Sequence, residues 1–306
     1  MKTDLQEFGQ IIVGMRTAYA SGENAMAWAR ANCTHNNNTI DTTLIAYDLQ
    51  AGSYVAGARR NSQYRLKWCG QLAELLRPYI EPGDRILEVG VGEATTLTGV
   101  TQLIQRQDVY AFGFDVSWSR IKVAKQWATE KSVVANLFVG DLFRIPMADE
   151  SIDVVYSAHS LEPNGGREKE AIAELLRVAR KAVVLVEPIY ELASAEAQQR
   201  MAAHGYVRGL KQVAEQLGVR VAEYGLLPIS DNPLNPSGVV VLTKPRSESE
   251  KNKSAGIELW QCPLTATGMV NLEDIFFAEQ VGIAYPVLRG IPLLRAEHAV
   301  VASKIL

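Results

Sequence analysis

An α/β fold with a largely parallel sheet, covered by helices on both faces, is predicted for this 306-residue chain by three features. Short apolar segments alternate with segments of helical period from residue 85 onward. The first of these strands runs into an acid and a Gly-x-Gly turn, at the end of the strand where such sheets bind ligands. No apolar run approaches the roughly 20 residues that a membrane span requires.

The elements follow in order. Leu5, Phe8, Ile12 and Met15 recur at helical spacing, and Trp68, Leu72, Leu75 and Leu76 mark a second helix that ends near Pro78. Between them, residues 34–39 read as an Asn-rich loop. Residues 1–80 are therefore predicted as an N-terminal helical lid and substrate region. Strands are predicted at 85–89, 109–114, 135–139, 152–157 and 182–186. Leu97, Val100 and Ile104 mark the first intervening helix, and Ile121, Ala124, Trp127 and Ala128 the second. Ile172, Leu175, Leu176 and Ala179 mark the helix before the fifth strand. One long helix is predicted over about 193–217, then a hairpin of strands 220–226 and 238–242 whose connection carries Asn235-Pro236-Ser237-Gly238. The core domain thus spans 81–245, a polar linker 246–256, and a small terminal unit 257–306.

Composition narrows the function. The chain is 47% hydrophobic and 21% charged, an ordinary globular balance. A net charge of −3 and the lack of a basic stripe argue against nucleic acid as a partner. The N-terminus, MKTDLQEFGQ, has an acid where a secretory leader has only base, so a cytoplasmic location without membrane association is expected. Cys33, Cys69 and Cys262 are far apart and lack a CxxC spacing, which predicts reduced thiols and no metal site.

The densest signal is Ile86-Leu87-Glu88-Val89-Gly90-Val91-Gly92-Glu93-Ala94. Its glycines allow close backbone approach to a ligand. A dinucleotide fingerprint needs a third glycine where Thr95 stands, and Glu88 and Glu93 would repel a pyrophosphate. Carboxylates suit a cofactor with a sulfonium and an ammonium and no phosphate, S-adenosylmethionine. Asp115 and Val116, at the end of the second strand, are placed for its ribose, and Asp141 and Leu142, after the third, for its adenine.

Over about residues 80–245 the sequence resembles the class I S-adenosylmethionine-dependent methyltransferases. ILEVGVGEA resembles the family's first motif, FDVS its ribose-binding strand end, and GDLFRIPMADESIDVVYSAHSLE its later conserved stretch. The resemblance implies a Rossmann-like seven-stranded methyltransferase sheet with the helical lid above it. It places Glu88, Gly90 and Gly92 along the methionine part, Asp115 and Val116 at the ribose, Asp141 and Leu142 at the adenine, and Ser157 in the cofactor wall. It also sets the acceptor over the ends of the fourth and fifth strands. His159, Glu162, Glu187 and His204 are then the candidates for a general base. His159 and Glu162 serve equally well as loop structure, and His204, before Gly205, equally well as a helix C-cap. Tyr47, Tyr54, Asn164 and Tyr190 are candidate acceptor contacts.

Residues 259–298 resemble the small zinc-binding subunit that activates tRNA and protein methyltransferases, through Cys262-Pro263 and Ala284-Tyr285-Pro286-Val287-Leu288-Arg289-Gly290-Ile291-Pro292. The family's CPxC is here Cys262-Pro263-Leu264-Thr265, so the zinc ligands are missing. A small α+β unit held by Phe276, Phe277, Tyr285 and Leu293 is expected, docked on the core domain or on a second copy in a homodimer. It reads as a structural or acceptor-site-shaping module, or as a stabilising tail.

The expected function is methyl transfer to O or N of a polar small-molecule acceptor, such as a sugar or nucleotide sugar in glycan biosynthesis. The alternatives are an RNA or protein methyltransferase with its activator fused in cis, and a non-catalytic binding module.

Overall fold

The computed structural model describes residues 5–32, 40–104, 108–230, 232–244 and 258–305. Cys33, the predicted loop at 34–39 and the whole of the predicted linker at 246–256 lie outside these residues. β1 (Arg85–Val89) sets the frame of the core domain. Its side chains alternate, with Leu87 and Val89 in one apolar cluster and Ile86 in another. Burial on both faces is what a parallel strand requires.

β1 pairs in parallel with β2 (Tyr110–Asp115) and with β4 (Ile152–Ala158). β3 (Ala135–Val139) joins β2, and β5 (Ala179–Pro188) joins β4, both in parallel. β7 (Ser237–Thr243) runs antiparallel between β5 and β6 (Arg220–Leu226), giving the seven-stranded order β3-β2-β1-β4-β5-β7-β6. The order reverses between β1 and β4, and the crevice at such a switch point is where this architecture binds ligands.

α5 (Ser62–Leu76), α6 (Thr95–Ile104) and α7 (Trp118–Glu130) cover one face of the sheet. α8 (Glu168–Val178) and α10 (Leu210–Gln216) cover the other. Two predictions need correction. The long helix over 193–217 is broken into α9 (Ala195–Ala203) and α10, because Gly205 and Gly209 take the left-handed φ values of +67° and +64°. Ala179 belongs to β5 and not to the preceding helix. The strand is longer than predicted because Lys181 is buried and Arg180 nearly so, their charges paired with Asp84 and Asp153. The Lys181 ammonium lies 2.5 Å from Asp84.

The N-terminal helices form a roof. α1 (Leu5–Ala20), α2 (Ala25–Asn32) and α3 (Ile40–Leu49) share a small core that includes Met15, Ala29 and Ile45. α4 (Ser53–Arg60) packs Val55 and Ala58 on Trp127 of α7. Asp48 of α3 ties the roof to α7, accepting from Ser117 Oγ at 2.7 Å and from Ser119 N at 3.1 Å. Among the described residues no helix is long and apolar enough to cross a membrane.

The terminal unit is an antiparallel sheet of β8 (Val270–Leu272), β9 (Ile275–Ala278), β10 (Ile283–Leu288), β11 (Ile291–Pro292) and β12 (Val300–Val301). It docks in cis on the core domain. Cys262, Met269, Phe276 and Tyr285 join the same apolar cluster as Phe112, Phe138 and Met147. Trp260 stands edge-on to Phe138 at 5.3 Å and to Phe276 at 5.0 Å. Leu293 bridges Val139 in parallel, so the unit also covers the open edge of β3.

Candidate functional site

A cavity of about 590 Å³ opens at the C-terminal ends of β1 to β4, under α3, α4 and α5. Its floor is the turn after β1. Gly90 has φ +61°, and a Cβ there would meet the Ser160 Cβ at 2.3 Å, so no other residue fits. Glu88 precedes the turn on the cavity wall, with Tyr156 Oη donating to its carboxylate at 2.9 Å. Full burial pushes the Glu88 carboxyl up to about 8. Glu93 does not line the cavity. It is fully buried and turns its carboxylate to the lid, accepting from Gly52 N at 2.8 Å and Val55 N at 2.7 Å. The negative crowding expected of the Glu88–Glu93 turn is therefore not what the structure presents, since one acid is spent on the lid and the other is held mostly protonated near neutral pH.

Asp115, Val116, Asp141 and Leu142 all line the cavity, as their sequence positions suggested. Asp115 accepts from Gly92 N at 3.1 Å and Ser117 N at 2.9 Å, which fixes the turn to the end of β2. Burial raises its carboxyl above the ordinary value, and the amide of Ser117 and the charge of Arg120 partly offset this. Asp141 accepts from Phe143 N at 3.0 Å. Ser157 is fully buried one residue short of the cavity wall, and Ala158 and His159 take the wall positions instead.

His159 has a left-handed φ of +58°, a strained conformation for a residue with a side chain. Its imidazole is braced on both sides. Nδ1 lies 2.7 Å from Glu162 Oε2, and Nε2 lies 2.7 Å from Ser237 Oγ at the start of β7. Asn235 Nδ2 donates to the same Glu162 oxygen at 3.3 Å, and the Trp68 ring packs 5.8 Å from the imidazole. Glu187 lies beneath this loop, fully buried and off the cavity. Its carboxylate accepts from the amides of Ser160, Leu161 and Glu162 at 3.1, 3.1 and 3.0 Å, so it holds the loop's backbone. Burial pushes it up to about 7, against the pull of the nearby His159.

Asn164 lines the cavity, with its amide donating to the carbonyls of Ser160 and Leu161. Tyr47 and Tyr54 also line it and flank the buried Arg120, whose guanidinium lies 4.9 and 4.3 Å from their rings. Burial holds the Tyr47 phenol well above its ordinary range, so it stays a hydroxyl. Two more predicted residues, besides Ser157 and Glu187, sit off the cavity lining. Tyr190 lies under the Arg208 guanidinium, away from the cavity lining. His204 is the exposed C-cap of α9, its Nδ1 donating to Arg200 O at 2.8 Å, which is the helix-capping role and places it outside the site.

Sequence reasoning missed Arg65, Arg120, Ser237 and Arg295, all of them in the cavity lining. Arg65 donates to Thr96 Oγ1 at 3.3 Å, and its charge bears on the Glu88 carboxyl. Arg65 and Arg120 sit on helices, Ser237 at the start of β7 and Arg295 in a turn, where such residues ordinarily face solvent, so periodicity carried no signal for them.

The donor set fits S-adenosylmethionine. Carboxylates stand at three successive strand ends, a glycine floor allows close approach, and the volume lies in the range of small-molecule clefts. Residues 86–182 match the family profile described as a methyltransferase domain. The fold is similar to a SAM dependent methyltransferase from Aquifex aeolicus, with 15% identity over 55% of this chain and 87% of that one and a TM-score of 0.42. It is also similar to a chain in the complex between the Haloferax volcanii Trm112 methyltransferase activator and a methyltransferase. That match has 17% identity over 65% of this chain and 98% of that one, with a TM-score of 0.51. At this identity the second likeness speaks for the fold alone. No curated protein matches the chain. Fold, cavity and the domain match over residues 86–182 together support methyl transfer from S-adenosylmethionine as the chemistry of this chain.

Proposed function

We propose that the chain methylates an O or N atom of a polar small-molecule acceptor, with a sugar or nucleotide sugar as the favoured class, and that His159 is its general base. The observation that carries this reading is the bracing of His159 between Glu162 and Ser237 on the cavity wall. When bound, the cofactor supplies a methyl group on a sulfonium centre, which is displaced in line with an acceptor lone pair.

The residues of the chain then have separate tasks. Asp115 receives the ribose hydroxyls, and Asp141 with Leu142 holds the adenine. Glu88 pairs with the ammonium of the methionine part, and Arg65 with its carboxylate. His159 Nε2 takes the proton that the acceptor loses, from the position now filled by Ser237 Oγ. Glu162 holds the tautomer with the proton on Nδ1 and stabilises the imidazolium that forms. Tyr47, Tyr54 and Asn164 line the roof and wall toward the acceptor. A cavity closed by α3 to α5 suits a small molecule better than a folded macromolecule.

The test is transfer of label from S-adenosylmethionine into a cell extract that is then separated by size. Label in the small-molecule fraction is expected. Label confined to protein or RNA would overturn the acceptor class and favour a macromolecular substrate.

A further inference from the structure

The terminal unit reaches the cofactor cavity through one side chain, Arg295. Leu293 pairs with Val139 in parallel, and Leu294 N donates to Val139 O at 2.8 Å. The two segments run on in the same direction, so Arg295 follows the bridge on one side as Gly140 and Asp141 follow it on the other. Both Arg295 and Asp141 line the cavity.

Arg295 is only 7% exposed, yet its guanidinium is poorly matched. Nε has no hydrogen-bond partner among the described residues. Its nearest carboxylate, Glu297, is 3.6 Å from Nε and mostly exposed. A buried guanidinium with donors to spare is costly unless a ligand completes it. The adjoining strand end is where Asp141 and Leu142 would hold an adenine, whose ring nitrogens are acceptors.

We infer that Arg295 donates a hydrogen bond to an adenine ring nitrogen of the cofactor, so that the terminal unit is part of the cofactor site. Asp141 accepts from the exocyclic amine while Arg295 donates to the ring, and the pair reads both polarities of the base. The acid belongs to the core domain and the base to the terminal unit, so cofactor binding bridges the two. This inference rests on the cofactor and is independent of the acceptor class proposed above.

The experiment titrates S-adenosylhomocysteine and its 1-deaza, 3-deaza and 7-deaza purine analogues, by calorimetry, into the full-length chain and the Arg295→Met variant. Methionine keeps the packing of the side chain and removes its donors. The variant should bind S-adenosylhomocysteine about tenfold more weakly, the size of one charge-assisted hydrogen bond. One deaza analogue should cost the unaltered chain about the same factor and cost Arg295→Met nothing. Equal losses for both proteins on every analogue, or unchanged affinity of the variant, would overturn the inference. Arg295→Lys, which keeps the charge, covers the case in which the methionine variant fails to fold. Lysine should regain part of the affinity, and a full loss with lysine in a stably folded protein counts against a donor role.

Discussion

Glu93 and Val55, 38 residues apart in sequence, meet at 2.7 Å, where the carboxylate of the glycine-rich turn accepts the amide of a lid helix. Its other oxygen takes the amide of Gly52 at 2.8 Å. Gly52, the N-cap of α4, has no side chain to offer, so Glu93 satisfies the helix's free amides from outside. The floor of the cofactor cavity thereby holds its own roof.

Glu93→Ala should lower stability by about 1–2 kcal/mol, the usual cost of losing a helix cap. It should also weaken cofactor binding, because α4 carries Tyr54 over the cavity. Glu93→Gln keeps one acceptor and should retain most of both. Thermal unfolding and calorimetric titration of S-adenosylhomocysteine check this, and an unchanged alanine variant would sink it.

Asp115→Ala should weaken cofactor binding by about 1–3 kcal/mol through lost hydrogen bonds. Asp115 also anchors Gly92 and Ser117, so Asp115→Asn, which keeps one acceptor, should fall between. Calorimetry that shows wild-type affinity for the alanine variant would remove Asp115 from the ribose site.

Glu88 gives cofactor binding a pH dependence of definite sign. Its free-protein value of about 8 means it carries a proton at neutral pH, and pairing with the cofactor's ammonium requires that proton to leave. Affinity should therefore rise as the pH rises toward 8, with a proton released on binding. The stability of the free protein should move the other way. The folded state binds the proton more tightly than the unfolded chain, so this contribution is full below the unfolded value near 4.5 and is lost as pH rises through about 8. Glu88→Gln should flatten both slopes. Titrations in buffers of different ionisation heats measure the released proton, and a slope that survives in the glutamine variant assigns it to another group.

The strands, the turn acids and the lid were legible because each is a local pattern. Short apolar runs marked the strands, and Asp115 and Asp141 stood at the ends of two of them. The bracing of His159 was not legible, because Ser237 comes from 78 positions away and reads on its own as turn chemistry. Glu93 read as charge at the site when its partners lie on α4. Glu187 read as a base aimed at the substrate when its carboxylate is filled by three loop amides. In each case the missing information is a contact between distant segments, which residue type and spacing do not encode.

His159→Gln should lower kcat by about 100-fold or more, within the range of general-base effects, and leave cofactor affinity unchanged. Glu162→Gln should lower it less, since the imidazole keeps its Ser237 contact. Glu187→Gln tests the positioning role, with a loss of stability that accompanies any loss of kcat. Single-turnover transfer of label into the acceptor fraction separates these effects. Equal rates for the chain and its His159 variant would remove the base from this position.

The terminal unit should unfold together with the core domain. Trp260 is wedged between Phe138 of β3 and Phe276 of β9, and Arg177 of α8 donates to Gln261 Oε1 at 3.0 Å. These contacts make one apolar cluster of the two parts, so calorimetry should show a single transition. Trp260→Ala should lower the stability of the whole chain by about 2–4 kcal/mol, toward the low side for large aromatic truncations because the ring is half-buried. Within the unit, Cys262 Sγ lies 3.4 Å from Tyr285 Oη, and among the described residues no cluster of His, Cys, Asp and Glu is arranged to hold a metal. A chelator should accordingly leave the transition where it is. Two separate transitions, or a fall in melting temperature with chelator, would show instead that the unit folds by itself or around a metal.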